Sequence, residues 1–230
     1  MAAHGGTVVT ASGGSVTQVD SGSLNVTGTD VELVCWGAEE NSTSPALTLS
    51  WDPTGANETP TAFTGTPVSA GAYLDLAAGF IDDPTEANAS VRLDLASTAN
   101  CIVGGTFFTD ADDMAAGDVA SDSDTGTSTS MNATAPNVVT DDMVMAILVR
   151  SGIGAPTWEA EQTARGNANE NNYLRVDIAT QDGADGGNVN PTYGTVNYGA
   201  LMLVIRVPDA GGGGGGSVIP QIQAHTRRRR

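Results

Sequence analysis

Apolar and polar residues alternate along most of the chain with the two-residue period of a β-strand. These segments are short, and clusters of Gly, Pro, Asn and Asp such as "DPTGANETP" and "QDGADGGNVNP" separate them as turns do. The pattern predicts strands at 23–28, 31–38, 46–51, 72–80, 90–97, 101–109, 142–150, 172–180 and 199–207. Within the last strand, residues 201–205 are all apolar, which indicates a central strand covered on both faces.

We therefore expect an all-β protein, an antiparallel β-sandwich of jelly-roll type with extended N- and C-terminal arms. The sequence divides into an N-terminal arm at 1–13, a sandwich domain at 14–209, and a Gly linker with a basic C-terminal tail at 210–230. The best candidate for a helix is "TWEAEQTARG" at 157–166, which is too short to change this fold class.

The charge balance narrows the range of partners. The net charge is −18, the chain has no lysine, and four of its nine arginines are residues 227–230. Such an acidic body repels nucleic acid and anionic membranes, so we expect neither as a partner. An acidic, lysine-free composition is typical of proteins from salt-loving microbes and their viruses, although a GC-rich genome that encodes Arg in place of Lys also explains it.

No signal peptide is recognisable in "MAAHGGTVVTASGG", and no apolar run approaches the roughly 18 residues of a membrane helix. We expect synthesis in a host cytoplasm.

Candidate catalytic groups are few. The two histidines, His4 and His225, fall in the predicted arms, and the absence of lysine excludes a lysine base or Schiff base. Glu159 and Glu161 beside Trp158 form a carboxylate pair of the kind that a glycosidase needs, but we interpret them as exposed charges. We therefore predict no enzyme activity, no catalytic residue and no cofactor.

The sequence also offers two weaker candidates for a binding site, one for calcium and one for a sugar. Asp122 and Asp124 in "DSDTG" have part of the spacing of a calcium loop, but the later bidentate Glu is missing, so we favour a solvated acidic loop and predict no metal. Tyr193 and Tyr198 flank a turn in "NPTYGTVNYG" and are the better candidates for sugar stacking.

The two cysteines lie in apolar strands. Cys35, Trp51 and Cys101 approach the immunoglobulin Cys–Trp–Cys spacing, which allows a disulfide across the sandwich. Two buried free thiols are the alternative that we favour. Trp36 and Trp51 are expected in the core.

The closing stretch, "GGGGGGSVIPQIQAHTRRRR", combines a flexible tether, a short strand-like segment and a run of arginines. The strand-like segment cannot bury its apolar side chains alone, and arginine pairs with carboxylates in bidentate geometry. We predict docking on a partner through Val218, Ile219, Ile222, Arg227, Arg228, Arg229 and Arg230. A solvated tail without a partner is the alternative.

The order of "CIVGGTFFTDAD", a Ser/Thr-rich "DTGTSTSMNATA" and "DDMVMAILVR" resembles a diffuse group of β-sandwich proteins in tailed phages and related viruses. The resemblance implies a structural protein at the virion surface, such as a capsid decoration or cement protein, a head fibre or a tail-associated protein. Its partners would be capsid or other virion proteins, and we expect a homo-oligomer. A host-binding, lectin-like fibre module and a self-assembling filament subunit completed by strand exchange remain open.

Overall fold

The structure is a computed structural model that describes residues 2–28, 30–41, 46–71, 73–85, 87–111, 114–125, 128–131, 133–152 and 154–207. Within these ranges the regular elements are β-strands and a short 3₁₀ turn, Gly183–Asp185. The same residues include no helix long and apolar enough to cross a membrane.

The strands are numbered in chain order. They are β1 (Ala3–Asp20), β2 (Leu24–Asn25), β3 (Glu32–Glu40), β4 (Leu47–Trp51), β5 (Thr61–Ala62), β6 (Val68–Ala70), β7 (Leu74–Asp82), β8 (Asn88–Ala89), β9 (Val91–Thr109), β10 (Val119–Thr125), β11 (Met143–Ser151), β12 (Thr163–Glu170), β13 (Leu174–Asp182) and β14 (Asn197–Ile205).

Two antiparallel sheets make up the sandwich and confirm the predicted all-β class. The larger sheet has the order β1-β9-β3-β7-β5, with β4 paired to β9 and β6 paired to β7. The second sheet has the order β10-β14-β11-β13-β12, and β2 and β8 form a small separate pair. The jelly-roll type of the sandwich stays a prediction.

The main core lies between the two sheets, where side chains from β3, β7 and β9 meet those from β11, β13 and β14. Trp36 is the largest of these residues and is fully buried, as predicted. Residues 201–205 of β14 are fully buried as well, because β10 and β11 flank this strand and apolar side chains cover both of its faces.

Each sheet also carries apolar residues on its outer face. The outer face of the larger sheet is covered by β4 and the first part of β9, which enclose Trp51, Cys35 and Cys101 in a second cluster. On the outer face of the second sheet, residues from the segments 131–138 and 189–198 cover β11 and β14 in a third cluster. Both cysteines are buried free thiols, which confirms the favoured interpretation.

The long strand β9 joins two segments that the sequence predicts as separate strands. Residues 91–95 pair with β4, whereas residues 100–108 pair with β3, so this one strand pairs with two different strands of the larger sheet. At Gly104 an added Cβ would lie 2.5 Å from Cζ2 of Trp36 and 2.7 Å from the carbonyl oxygen of Val9. Glycine is needed there because the Trp36 ring lies directly against the backbone.

The N-terminal boundary differs from the prediction. Residues 8–13, expected in a free arm, belong to β1 and pair with residues 101–106 of β9. The edge of β9 has backbone N–H and C=O groups to satisfy, and the β-branched run "TVVT" at 7–10 suits such pairing.

The best helix candidate of the sequence, residues 157–166, is not helical. Residues 160 and 161 form a turn, and β12 begins at Thr163 and pairs with β13. The cross-strand partners of β13 outweigh the weak helical propensity of this stretch.

Candidate functional site

The end of the described chain is held at a fixed point on the sandwich. Directly after β14, Arg206 places Nη2 at 2.6 Å from Oδ1 of Asp118 and Nη1 at 2.9 Å from Oδ2 of Asp142. Nη1 also donates to the carbonyl oxygen of Asn137 at 2.8 Å. The hydrogen bond to Asp118 is the main cause that raises the pKa of Arg206, and the charges of both carboxylates add to it. The tail therefore leaves the sheet from an anchored position.

The predicted docking residues of that tail lie outside the described residues. They are Val218, Ile219, Ile222, Arg227, Arg228, Arg229 and Arg230.

Beside this exit lies an acidic edge strand, β10, which pairs with β14 and forms the edge of the second sheet. Asp122 and Asp124, which we expected in a solvated acidic loop, lie instead in this strand, because β14 offers its backbone groups for pairing. The Asp122 carboxylate accepts a hydrogen bond from the hydroxyl of Tyr198, while the side chain of Asp124 lies outside the described part of the chain. Within the described ranges, no group of three or more His, Cys, Asp or Glu side chains is placed to hold a metal ion.

Tyr193 and Tyr198 are not the exposed sugar platforms that the sequence suggested. They are 8% and 3% exposed and pack edge to face, with their ring centroids 5.5 Å apart. The reason is their place on the outer face of the second sheet, where the third apolar cluster encloses them. Burial, followed by the hydrogen bond to Asp122, raises the pKa of Tyr198.

Glu159 and Glu161 are exposed at the turn before β12, as we interpreted them. The side chain of Gln162 donates from Nε2 to Oε2 of Glu159 at 3.3 Å, and its Oε1 accepts from the Glu159 backbone N–H at 3.2 Å. These bonds brace the turn.

His4 lies in β1 rather than in a free arm. Its ring packs edge-on against Phe108, with centroids 5.5 Å apart, and its Nε2 lies 2.8 Å from Oγ1 of Thr106. Burial, assisted by the positive charge of Arg165, lowers its pKa to about 4. The imidazole is therefore neutral at physiological pH and packs, half-buried, against Phe108.

A buried charge cluster on the outer face of the second sheet was missed by the sequence analysis. Arg150 and Arg175 are directly opposite each other on β11 and β13, and Asp177 lies between them. Nη2 of Arg150 is 2.8 Å from Oδ2 of Asp177, and Nη2 of Arg175 is 2.6 Å from Oδ1. The signal was present in "YLRVDIA", where two opposite charges on one strand face interrupt an apolar alternation.

A cavity of about 340 Å³ opens beside this cluster. Its walls come from β12, β13 and the segment before β12. They are Ala155, Pro156, Trp158, Ala164, Arg165, Gly166, Asn167, Arg175 and Asp177. Trp158 is half-buried here, so the structure assigns it to a cavity wall rather than to the carboxylate pair that follows it in sequence.

A second buried polar feature lies under β4 and the first part of β9. Glu39 of β3 and Asp75 of β7 are cross-strand partners and are 0% and 3% exposed. Burial, and next the carboxyl of Asp75, raises the pKa of Glu39 to about 8. Glu39 is therefore largely protonated at neutral pH.

No protein-family model matches this chain, and no curated protein does. Among solved structures, the chain is similar to one titled "Red Clover Necrotic Mosaic Virus", with 11% sequence identity and a TM-score of 0.27. The alignment covers 90% of this chain and 98% of that chain. A TM-score of this size carries no argument about function.

Proposed function

We propose that this protein is a structural, non-enzymatic subunit of a virus particle, of the capsid decoration or cement type, which docks on neighbouring subunits through its C-terminal tail. The observation that carries the proposal is the division of charge between body and tail. Four of the nine arginines close the chain, whereas all 27 acidic residues lie before the glycine run. A basic tail fastened to an acidic body is complementary to any other copy of that body.

The anchored exit of the tail supports this role. Arg206 is held by Asp118 and Asp142, so the last part of the described chain is fixed beside β10. The exit and the acidic edge strand thus lie at the same side of the second sheet. A tail from one copy then meets carboxylates and the edge strand β10 on the next copy.

The tail is long enough for this contact. Six glycines in a coil span about 12–15 Å on average. The fourteen residues after them reach about 46–50 Å when extended. A folded body of some 200 residues has a radius of gyration of about 17 Å, so the tail can cross a neighbouring copy.

Within the tail, two kinds of contact act together. Val218, Ile219 and Ile222 gain by burial against a partner strand, whereas the arginines gain by pairing with carboxylates. An exposed ion pair contributes only about 0–1 kcal/mol. Repetition over a symmetric particle raises the total binding through multivalency.

The test is deletion of residues 217–230, followed by measurement of how many copies remain on purified virus particles. We expect loss of the deleted protein from the particles while its β-sheet circular dichroism is unchanged. A matched control changes Gln221 and Gln223 to Ala, which keeps the apolar residues and the arginines. Full occupancy by the deleted protein would refute docking through the tail.

A second variant separates the two contacts. Changing all four residues Arg227–Arg230 to Gln should abolish the salt dependence of retention, since wild-type retention weakens as ionic strength rises. Retention that depends on salt to the same degree in both proteins contradicts the role of the arginines. Polymerisation of the purified protein into filaments, without any particle, would favour the strand-exchange alternative instead.

A further inference from the structure

A groove of about 220 Å³ opens on the outer face of the larger sheet, between β4 and the segment that leads into β5. Its floor is β7 at residues 77–79, where alanine and glycine leave room above the backbone. Leu47 and Leu49 form one wall, and Pro60 and Pro67 contribute to the other. The lining includes no charged side chain, although the protein has a net charge of −18. The groove is smaller than the about 300–1,000 Å³ of most small-ligand sites, so it suits a few apolar side chains of a peptide segment.

The wall formed by β4 is also a strand edge. Backbone groups alternate in direction along a strand, and both the N–H and the C=O of Trp51 point away from β9, because they bond to Glu58. The backbone groups of Leu49 and Leu47, two and four residues earlier, therefore point the same way. Among the described residues only Glu58 pairs with β4 on this side, since the chain after it turns away to pair as β5 with β7. The groove thus offers a stretch of β4 that can accept one more strand above an apolar floor.

The tail starts close to this groove. Arg206 is bonded to Asp118, and the carbonyl oxygen of Ala116 accepts from the backbone N–H of Thr64 at 2.7 Å. The turn that begins at Thr64 leads directly into two residues that line the groove. The ten residues 208–217, which include the glycine run, reach about 33–36 Å when extended. This reach is twice the radius of gyration of about 17 Å for a body of some 200 residues, so the groove of the same copy is within range.

The apolar segment of the tail has the pattern of a strand added parallel to β4. The residues of β4 that turn their backbone groups to the groove also point their side chains to the sheet below. In a parallel neighbour, the residues that point their side chains the same way turn their backbone groups away from β4. Val218, Pro220 and Ile222 suit these positions, because all three are apolar and Pro220 has no N–H to donate. Ile219 and Gln221 then supply the backbone bonds to β4.

We propose that, in the free protein, residues 218–222 of the tail pair in parallel with β4 of the same chain and cover this groove. The tether holds the segment at a millimolar effective concentration, so a contact too weak for separate molecules is filled within one chain. The pairing of Trp51 with Glu58 closes the groove, so the arginines that follow emerge there. Asp52 and Glu58 lie at this end and take part in none of the ion pairs of the described residues. This inference concerns the free protein and does not depend on the docking role proposed above.

Amide hydrogen exchange of the free full-length chain, followed by NMR, measures the pairing. A segment that fills the groove for about nine-tenths of the time slows exchange about tenfold. We therefore expect the N–H groups of Leu47 and Leu49 to exchange about tenfold faster after deletion of residues 217–230. The N–H groups of Thr48 and Ser50 face β9 and are the internal control, which the deletion should leave unchanged. Equal exchange at Leu47 and Leu49 with and without the tail would overturn the proposal.

A pair of proline variants tests how the segment pairs. Gln221→Pro removes an N–H that the parallel pairing uses, so it should return the exchange of Leu47 and Leu49 to the rate of the deleted protein. Ala224→Pro is the matched control, because it adds the same ring beyond the paired residues and should keep the protection. Equal exchange in the two variants contradicts the pairing.

Dilution identifies the copy that supplies the segment. Protection of Leu47 and Leu49 should be the same at about 20 µM and about 500 µM protein, since the tether sets the local concentration. Protection that is lost on dilution would assign the groove to the tail of another copy and overturn the proposal. The measurement needs no virus particle, so its failure and the failure of docking on particles are separate results.

Discussion

Replacement of Glu39 by Gln should make the protein more stable at alkaline pH. Glu39 and Asp75 face each other under β4 and the first part of β9, and both side chains are buried. Glu40 and Cys101 lie beside the pair, and burial, followed by the charges of Glu170 and Glu39, raises the pKa of the Cys101 thiol to about 11. The Gln side chain has nearly the same shape as the protonated acid and cannot ionise.

The direction in which stability changes with pH follows from proton linkage at Glu39. The pKa of Glu39 rises from 4.5 to about 8 in the folded protein, so the folded state keeps a proton that the unfolded chain has lost. Stability is then highest below pH 4.5 with respect to this group and falls as pH rises through 8. Each pKa unit corresponds to about 1.4 kcal/mol, which sets a ceiling of about 5 kcal/mol. Water entry and rearrangement of β4 lower the cost of ionising a buried carboxyl. We therefore expect Glu39→Gln to raise the free energy of unfolding at alkaline pH by about 2 kcal/mol.

Urea unfolding followed by tryptophan fluorescence at pH 5, 7 and 9 measures this effect. The difference between Glu39→Gln and wild type should be near zero at pH 5 and about 2 kcal/mol in favour of the variant at pH 9. Glu161→Gln, at an exposed turn, is the control and should leave the pH profile unchanged. A variant whose stability falls with pH as steeply as that of wild type would refute the reasoning.

Three further predictions use the same urea assay. Gly104→Ala should destabilise the protein by about 1–3 kcal/mol, because the new methyl group meets the Trp36 ring, and an unchanged midpoint would contradict this packing. Arg206→Gln should cost about 2 kcal/mol at pH 7, because the buried carboxylate of Asp142 loses its cation; an unchanged midpoint would argue against the ion pair. Tyr198→Phe should cost about 1–2 kcal/mol through the lost hydrogen bond, and a neutral effect would show that the hydroxyl contributes nothing.

The sequence predicts the strands that carry an apolar face. "VELVCWGA" and "GALMLVIRV" lie on β3 and β14, because alternating or continuous apolar residues specify burial directly. The strands β1, β10 and β12 were missed, since they carry few large apolar residues and pair where a neighbouring strand offers an edge. Such pairing depends on tertiary context rather than on local preference.

The burial of Glu39 and Arg150 was hard to predict because it also depends on tertiary context. Glu39 and Glu40 end an apolar run and look like a solvated strand end in the sequence. However, β3 lies between β9 and β7 in the sheet. Glu39 is therefore buried on the face that carries the second apolar cluster, opposite Asp75. Arg150 is likewise placed opposite Arg175 by register alone. Register between distant strands cannot be read from one sequence.

Charge complementarity alone does not decide which body the tail binds, because each tail is tethered to an acidic body of its own. A tether of this length gives a millimolar effective concentration for self-docking, which competes with a neighbour in dilute solution. On the particle that we propose, the balance would change if neighbouring copies were held at a similar distance, since each offers the same edge. Strand addition to β10 also favours docking on a neighbouring copy over docking on the same copy. In the same copy, β10 lies so close to the start of the tail that the glycine tether restricts how the tail can align along this strand. We therefore expect docking through the tail on the assembled particle and not between copies in dilute solution.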